Sequence, residues 1–232
     1  MTSEKLRERA ALYADTVHLF PVRVAFGQCD AFRRQVEGVP EDLRVIPPPL
    51  VGYVGGVHQW VDQDLLGAVA ERLPDMHFAL VGPPQTDVTK LVRHPNVHLL
   101  GPRAHAELPR YIRGFSVGII PYQLSEYTRH VYPTKLNEYL AMGIPVVATD
   151  LPEVRRFNAE HGEVVAVARD VGEFVAALRA ASEPARQEIV NRRIEVARLN
   201  SWESRIASMS ALLEDRLHHR VLDTMGVVSD ET

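Results

Sequence analysis

The sequence predicts an α/β protein with a doubly wound, mainly parallel sheet of about six strands and additional helices toward its C-terminal end. Two observations carry this prediction. Between residues 50 and 168, short apolar, β-branched runs alternate with stretches whose apolar residues recur at helical spacing. This alternation is typical of parallel sheets whose strands are connected by helices. Several runs are apolar throughout, which indicates strands that are covered on both faces.

The predicted strands are the apolar runs in this region. They are Val51–Val54, Phe78–Val81, Val97–Leu100, Val117–Ile120, Pro145–Ala148 and Glu163–Val167. Amphipathic helices separate them, and in one of these the apolar stripe consists of Val61, Leu65, Val69 and Leu73. After residue 168 the pattern is mostly helical, with apolar stripes that begin at Phe174, Ile189 and Trp202. Residues 219–232 show no period, and we expect them to form a flexible tail.

The first 50 residues do not follow the alternation. A helix is predicted over residues 3–13 and a short strand over Thr16–Phe20, whereas residues 21–50 have an irregular pattern. Three consecutive prolines, Pro47–Pro49, form a stiff connection and mark a domain boundary. We therefore divide the chain into residues 1–50, 51–218 and 219–232.

Composition excludes several classes of protein. The 232 residues carry a formal net charge of −4 with both signs interspersed, so nothing indicates nucleic-acid binding, which requires a basic surface. The single cysteine, Cys29, excludes an intramolecular disulfide and a multi-cysteine metal site, and we interpret it as a small, partly buried thiol. No transmembrane segment is predicted, since no apolar run approaches the ~20 residues that a membrane-spanning helix needs. The start of the chain has no signal-peptide core, so we expect a cytoplasmic protein.

Ligands of open α/β sheets bind at the carboxyl ends of the strands, so the residues that follow each strand are the candidate site. After the first strand, Gly55 and Gly56 would let a ligand approach the backbone, ahead of a helix whose N-terminus favours an anion. A tight turn without any ligand explains these glycines equally well. The pattern is neither the dinucleotide-binding nor the Walker loop.

The stretch after the fourth strand is more informative. A helix is predicted to open at Pro133 or Thr134, with Lys135 in its first turn and Glu138 on the same face. A lysine here opposes the helix dipole, and this is one of only three lysines in the chain. The placement predicts a phosphate held by the ammonium group and the helix N–H groups, with Glu138 bonded to sugar hydroxyls. The alternative is a solvated Glu–Lys pair.

The segment Pro133–Asp150 resembles the signature of glycosyltransferase family 4: a glutamate, a short helix, a small-x-Gly-x-Pro turn and an apolar strand. Residues 51–67 and 200–205 are similar to the first strand–helix unit and the last helix of that family's donor-binding domain. The resemblance extends over roughly residues 2–215. It implies the GT-B architecture of two Rossmann-like domains, of which this chain would be the C-terminal, donor-binding half. Residues 1–50 would be a remnant of the N-terminal domain and the interdomain linker.

The resemblance also implies roles for individual residues. The second acidic residue of the family motif falls on Glu138, which would bind ribose or sugar hydroxyls. The first falls on His130, so the acidic pair is broken, and Glu126 is the candidate for the missing acid. The backbone N–H groups just before the helix would hold the diphosphate. Pro133 supplies none of them, because proline lacks an N–H group. The residues placed around the donor in this way are Gly55, Gly56, Glu126, His130, Pro133, Thr134, Lys135 and Glu138.

The implied activity is a retaining, metal-independent transfer of a sugar from a nucleotide-diphospho sugar, which is the substrate, with no cofactor. Positive groups and a helix dipole would stabilise the departing diphosphate. Because most of the acceptor domain is missing, we expect little transfer by this chain alone and a partner, either a separate acceptor-domain chain or a second copy. The alternatives are a non-catalytic nucleotide- or sugar-binding subunit, a truncated inactive fragment, and a sugar-nucleotide epimerase or phosphorylase. Base, sugar and acceptor stay open.

Overall fold

The computed structural model describes residues 4–14, 16–18, 24–34 and 38–226. Within them the chain forms one parallel sheet of six strands. The strands are β1 (Leu50–Val54), β2 (His77–Val81), β3 (Val97–Gly101), β4 (Val117–Ile120), β5 (Val146–Thr149) and β6 (Ala166–Ala168). The predicted strands are thus confirmed, with β6 beginning three residues later than the apolar pattern indicates.

Helices and two short 3-10 turns, His105–Glu107 and Thr128–His130, connect the strands. The helices are α1 (Glu4–Ala11), α2 (Phe26–Arg34), α3 (Glu41–Arg44), α4 (Gln63–Arg72), α5 (Thr89–Val92), α6 (Leu108–Arg113), α7 (Lys135–Ala141), α8 (Pro152–His161), α9 (Val171–Ser182), α10 (Gln187–Leu199) and α11 (Trp202–Gly226). The last three are the predicted C-terminal helices. Within the described part of the chain, no helix has both the length and the apolarity needed to cross a lipid bilayer.

The order of the strands across the sheet is β3-β2-β1-β4-β5-β6. All neighbouring strands are parallel, and the direction in which strands are added reverses between β1 and β4. This is the doubly wound, Rossmann-like topology with its switch point between these two strands. Every residue of β1 and β4 is buried, which explains why their sequences are apolar without alternation.

Two of the C-terminal helices extend the core. Helix α9 packs on β5 and β6 through the fully buried Phe174 and Leu178. Helix α10 packs on α7 and buries Val196 and Ala197. In α11, by contrast, the predicted apolar stripe that begins at Trp202 is exposed.

The prediction of an irregular segment over residues 21–50 is wrong, because α2 and α3 lie within it. Among the described side chains of α2 only Cys29 is buried, so its sequence carries almost no apolar period. The predicted strand over Thr16–Phe20 is not formed at residues 16–18, and its last two residues lie outside the described part. Residues 219–226 continue α11 although their sequence shows no helical period, and residues 227–232 lie outside the described residues.

Candidate functional site

The loops that follow β1 and β4 are joined at the switch point. The Asp62 N–H group donates a hydrogen bond to the Pro121 carbonyl over 2.7 Å. Val61 and Tyr122 form an antiparallel bridge directly beside it. The Thr149 hydroxyl, at the end of β5, donates to the Tyr122 carbonyl over 2.7 Å. The carboxyl ends of the central strands therefore form one connected edge, the place where ligands of this topology bind.

Gly55 has a structural reason to be glycine. Its φ angle is +117°, a region that side-chain-bearing residues avoid, and its N–H group donates to the Val81 carbonyl over 2.8 Å. The loop after β2 packs closely against Gly55, since a Cβ atom on Gly82 would lie only 2.1 Å from the Gly55 carbonyl oxygen. A Cβ atom on Gly55 itself would lie 3.6 Å from the Lys135 ammonium nitrogen. The turn thus requires glycine, and it also places open backbone beside a cation.

Lys135 is the first residue of α7, after Thr134, whose backbone is already helical at φ −57° and ψ −36°. The lysine Nζ atom donates a hydrogen bond to the Tyr122 hydroxyl over 2.5 Å. It also lies 4.8 Å from the ring centroid of Tyr53 and 4.9 Å from that of Tyr122, which places it in cation–π contact with both. Among the described residues, no carboxylate oxygen lies within 4.0 Å of this nitrogen.

Tyrosines also connect α7 to the end of β1. The Tyr139 hydroxyl accepts a hydrogen bond from the Val54 N–H group over 2.9 Å. The Tyr53 hydroxyl donates to the Gly56 carbonyl over 2.9 Å. Burial raises the pKa of both phenols above the ordinary value, so both are neutral at physiological pH. The Tyr139 bond holds α7, which begins at Lys135, against the end of β1, and the Tyr53 bond fixes the turn at Gly56.

Glu138 faces a different neighbour. Its Oε1 atom lies 3.4 Å from His105 Nε2, and its side chain is 20% exposed. A small cavity at this point is lined by Val24, Ala25, Gln28, Cys29, His105, Leu108, Pro109, Ile112 and Glu138. Burial raises the pKa of the Cys29 thiol to about 12, and the negative charge of Glu138 adds to this effect. Helix α2, which the sequence did not predict, therefore forms part of the surroundings of Glu138.

His130 and Glu126 form a third contact. His130 Nε2 lies 3.5 Å from Glu126 Oε1, and Arg129 lies 3.4 Å from Glu126 Oε2. The Glu126 side chain is 73% exposed. The structure thus brings Gly55 next to Lys135, whereas Glu138 and the Glu126–His130 pair each contact other partners.

The candidate residues predicted from the sequence did not include Tyr53, Tyr122 or His58. Burial, and then the charge of Lys135, lower the pKa of His58 below its ordinary value of 6.5. All three residues lie at or just after the carboxyl end of a central strand, and this position could have identified them as site residues. In the described part of the chain, no group of three or more His, Cys, Asp or Glu side chains is arranged to hold a metal ion.

The strand order and the cation at its switch point define an α/β protein of the Rossmann-like class. A family model described as "Glycosyl transferases group 1" matches residues 48–183, which is more than half of the chain. The chain therefore belongs to this family. Over 113 residues it is 39% identical to TuaH of Bacillus subtilis (strain 168), named as a teichuronic acid biosynthesis glycosyltransferase, and the match covers 47% of this chain and 28% of TuaH.

Solved structures show the same fold at low identity. Sucrose-phosphate synthase from Thermosynechococcus elongatus is 20% identical with a TM-score of 0.70, and the match covers 94% of this chain and 58% of that protein. Alr3699/HepE of Anabaena, in complex with UDP and glucose, is 16% identical with a TM-score of 0.68, covering 92% of this chain and 61% of that one. Structural neighbours of this kind have the GT-B architecture. The chain spans less than two thirds of the length of each of these relatives.

Proposed function

We propose that this chain provides the donor site of a glycosyltransferase and binds a nucleotide-diphospho sugar at the switch point of its sheet. The observation that carries the proposal is the ammonium group of Lys135, which is held at this edge by two tyrosine rings. Family membership supports the class of reaction. The presence of UDP and glucose in the Anabaena relative supports the class of ligand.

Lys135 has the bonding capacity that a diphosphate needs. A lysine ammonium group donates three hydrogen bonds, and one goes to the Tyr122 hydroxyl, which leaves two for phosphate oxygens. The first hydrogen bond of this helical turn is donated by the Leu136 N–H group to the Pro133 carbonyl over 3.0 Å. The N–H groups of Thr134 and Lys135 come before it, so the helix itself does not use them. Pro133 itself contributes no donor. The Gly55–Gly56 turn would lie on the other side of the phosphates.

The remaining predicted residues take their proposed roles around this anchor. Glu138 would accept hydrogen bonds from ribose or sugar hydroxyls, next to His105. Glu126 would supply the acidic group that the family motif has at His130.

The proposed reaction breaks the bond between the anomeric carbon and the diphosphate oxygen. Negative charge then develops on the leaving group, where Lys135 and the neighbouring N–H groups would stabilise it without a metal ion. Retention at the anomeric carbon, metal independence and the acceptor are part of this proposal. The cytoplasmic location expected from the sequence also stays a prediction.

Calorimetric titration with UDP, GDP and ADP, and with their glucose conjugates, tests the donor site. We expect saturable binding of one nucleotide, unchanged by EDTA and weakened at least tenfold by Lys135→Ala and by Glu138→Ala. Lys90→Ala is the matched control, because Lys90 is exposed, pairs with Asp64 over 2.6 Å and is not one of the residues assigned to the donor site. A folded chain that binds none of the nucleotides, or that loses as much affinity on Lys90→Ala, would overturn the proposal.

A second candidate function, that of a partner subunit, is favoured by the exposed face of α11. Its apolar residues recur at spacings of three and four, so they lie on one side of the helix. They are Trp202, Ile206, Met209, Leu213 and Leu217, all between 42% and 64% exposed. Such a face is typical of a contact with another chain, either a second copy or a separate acceptor domain.

Light scattering during size-exclusion chromatography tests the second copy. We expect a dimer that the double substitution Ile206→Glu and Leu213→Glu converts to a monomer. A monomer already in the unsubstituted chain would exclude the homodimer and leave the separate acceptor chain.

A further inference from the structure

A second depression lies beside the switch point, on the loops that follow β1 and β4. It has a volume of about 420 Å³ and is lined by Gln59, Trp60, Gln123, Ser125 and Tyr127. This is within the range of small-molecule sites, roughly 300–1,000 Å³. None of these five lining residues is charged. We call this set of residues the aromatic platform.

The backbone holds the aromatic platform in place. The Gln123 N–H group donates to the Trp60 carbonyl over 2.8 Å, which fastens the two loops together. Thr128 is fully buried and organises the second loop: its hydroxyl accepts from the Ser125 N–H group over 2.9 Å and donates to the Gln123 carbonyl. Hydrogen bonds of the buried Thr128 therefore anchor the loop that carries Tyr127, so this loop holds its side of the platform in a defined position.

The chemistry of the platform matches a neutral sugar. The rings of Trp60 and Tyr127 lie 5.2 Å apart at 40°, and Tyr127 is 60% exposed. Gln59 and Gln123 are exposed at its edge. One face of a pyranose ring carries C–H groups that pack on aromatic rings, and its equatorial hydroxyls need both donors and acceptors. Aromatic rings and side-chain amides supply this combination.

The platform is continuous with the proposed donor site. The His58 ring stacks on Trp60 with centroids 3.9 Å apart and planes 20° apart. His58 Nε2 also lies 3.1 Å from where a Cβ atom on Gly56 would be. His58 thus lies between the Gly55–Gly56 turn and Trp60, so the platform adjoins the proposed donor site.

We infer that Trp60 and Tyr127, with the amides of Gln59 and Gln123, bind a neutral hexopyranose ring of the acceptor carbohydrate. This inference rests on the proposed function, because it names the acceptor class for that donor site. It assigns part of the acceptor recognition to the donor-site domain itself. A transfer reaction requires the attacking hydroxyl to be held beside the donor, which a sugar at this position would satisfy.

Tryptophan fluorescence tests the inference. The chain has two tryptophans, so Trp202→Phe leaves Trp60 as the sole reporter. The probes are maltose, cellobiose and N,N′-diacetylchitobiose, each added with and without UDP. We expect saturable, millimolar binding of at least one disaccharide, weakened roughly tenfold by Tyr127→Ala and also weakened by Gln123→Ala. Tyr13→Ala is the control, because Tyr13 is 90% exposed and lies outside the platform.

Three outcomes would overturn the inference. The first is no binding of any of the three disaccharides by the folded chain, and the second is equal binding by the Tyr127→Ala variant. The third is a response of Trp60 to UDP-glucose alone, which would assign the platform to the donor sugar. Failure of the proposed donor site is seen separately, as absence of UDP binding in calorimetry, and Tyr127→Ala is expected to leave UDP binding unchanged.

Discussion

Lys135 donates a hydrogen bond of 2.5 Å to the hydroxyl of Tyr122, and the tyrosine ring centroid lies 4.9 Å from the same ammonium nitrogen. Both residues belong to the connection between β4 and β5, Tyr122 just after β4 and Lys135 at the start of α7. Aromatic rings attract a cation without neutralising its charge. The lysine is therefore positioned by its surroundings and still available to an anion.

We expect Tyr139→Phe to destabilise the fold. The substitution removes the acceptor of the Val54 N–H group in a fully buried place, and a buried unpaired donor costs about 1–3 kcal/mol. Urea denaturation followed by circular dichroism measures the loss. Tyr13→Phe, at an exposed position, serves as the control and should change nothing. An unchanged midpoint for Tyr139→Phe would mean that the Val54 N–H group has another acceptor.

Gly55→Ala should also lower the free energy of unfolding, on the order of 1–3 kcal/mol, because alanine must adopt a φ of +117° there. The matched control is Gly38→Ala, since Gly38 is exposed and a Cβ atom there would meet nothing within 4 Å. Urea denaturation of both variants gives the comparison. Equal losses in the two variants would contradict the strain that we assign to the turn.

His58 should titrate below 6.5, because burial and the charge of Lys135 both disfavour its protonated form. Its pKa can be followed by ¹H–¹³C NMR of the imidazole. Lys135→Met should raise this pKa but not restore it fully, since burial is the larger cause. The unfolded chain protonates His58 at higher pH than the folded chain, so this residue lowers stability as the pH falls through 6.5. A pKa that does not change on Lys135→Met would disprove the coupling.

Cys29 should react slowly with Ellman's reagent at pH 8. The thiol is buried with a pKa of about 12, and the thiolate is the reactive form. The chain has one cysteine, so absorbance reports this site alone. Labelling should become fast in urea, and Glu138→Gln should leave it slow, because burial raises the pKa more than the carboxylate does. Rapid labelling of the native chain would show that α2 does not keep its thiol buried.

The strands could be predicted because parallel strands buried on both faces have continuously apolar sequences, as in Val117–Ile120. The edge of the sheet that carries the candidate site could be predicted from the same pattern, because this edge lies where the apolar runs end. Lys135 and Gly55 are located there. Helix α2 could not be predicted, because only Cys29 of its described side chains is buried. The end of α11 was not predicted either, because residues 219–226 continue the helix without an apolar period in their sequence.

The sequence by itself determined the alternation of strands and helices and the presence of a lysine and two glycines at strand ends, because these depend on neighbouring residues. Only the tertiary structure decided the strand order. It also decided the partners of the two site residues: Lys135 contacts Tyr122, and Glu138 contacts His105. The same holds for the meeting of Trp60 and Tyr127. These contacts join residues far apart in the chain, so they depend on how the strands assemble, about which local periodicity carries no information.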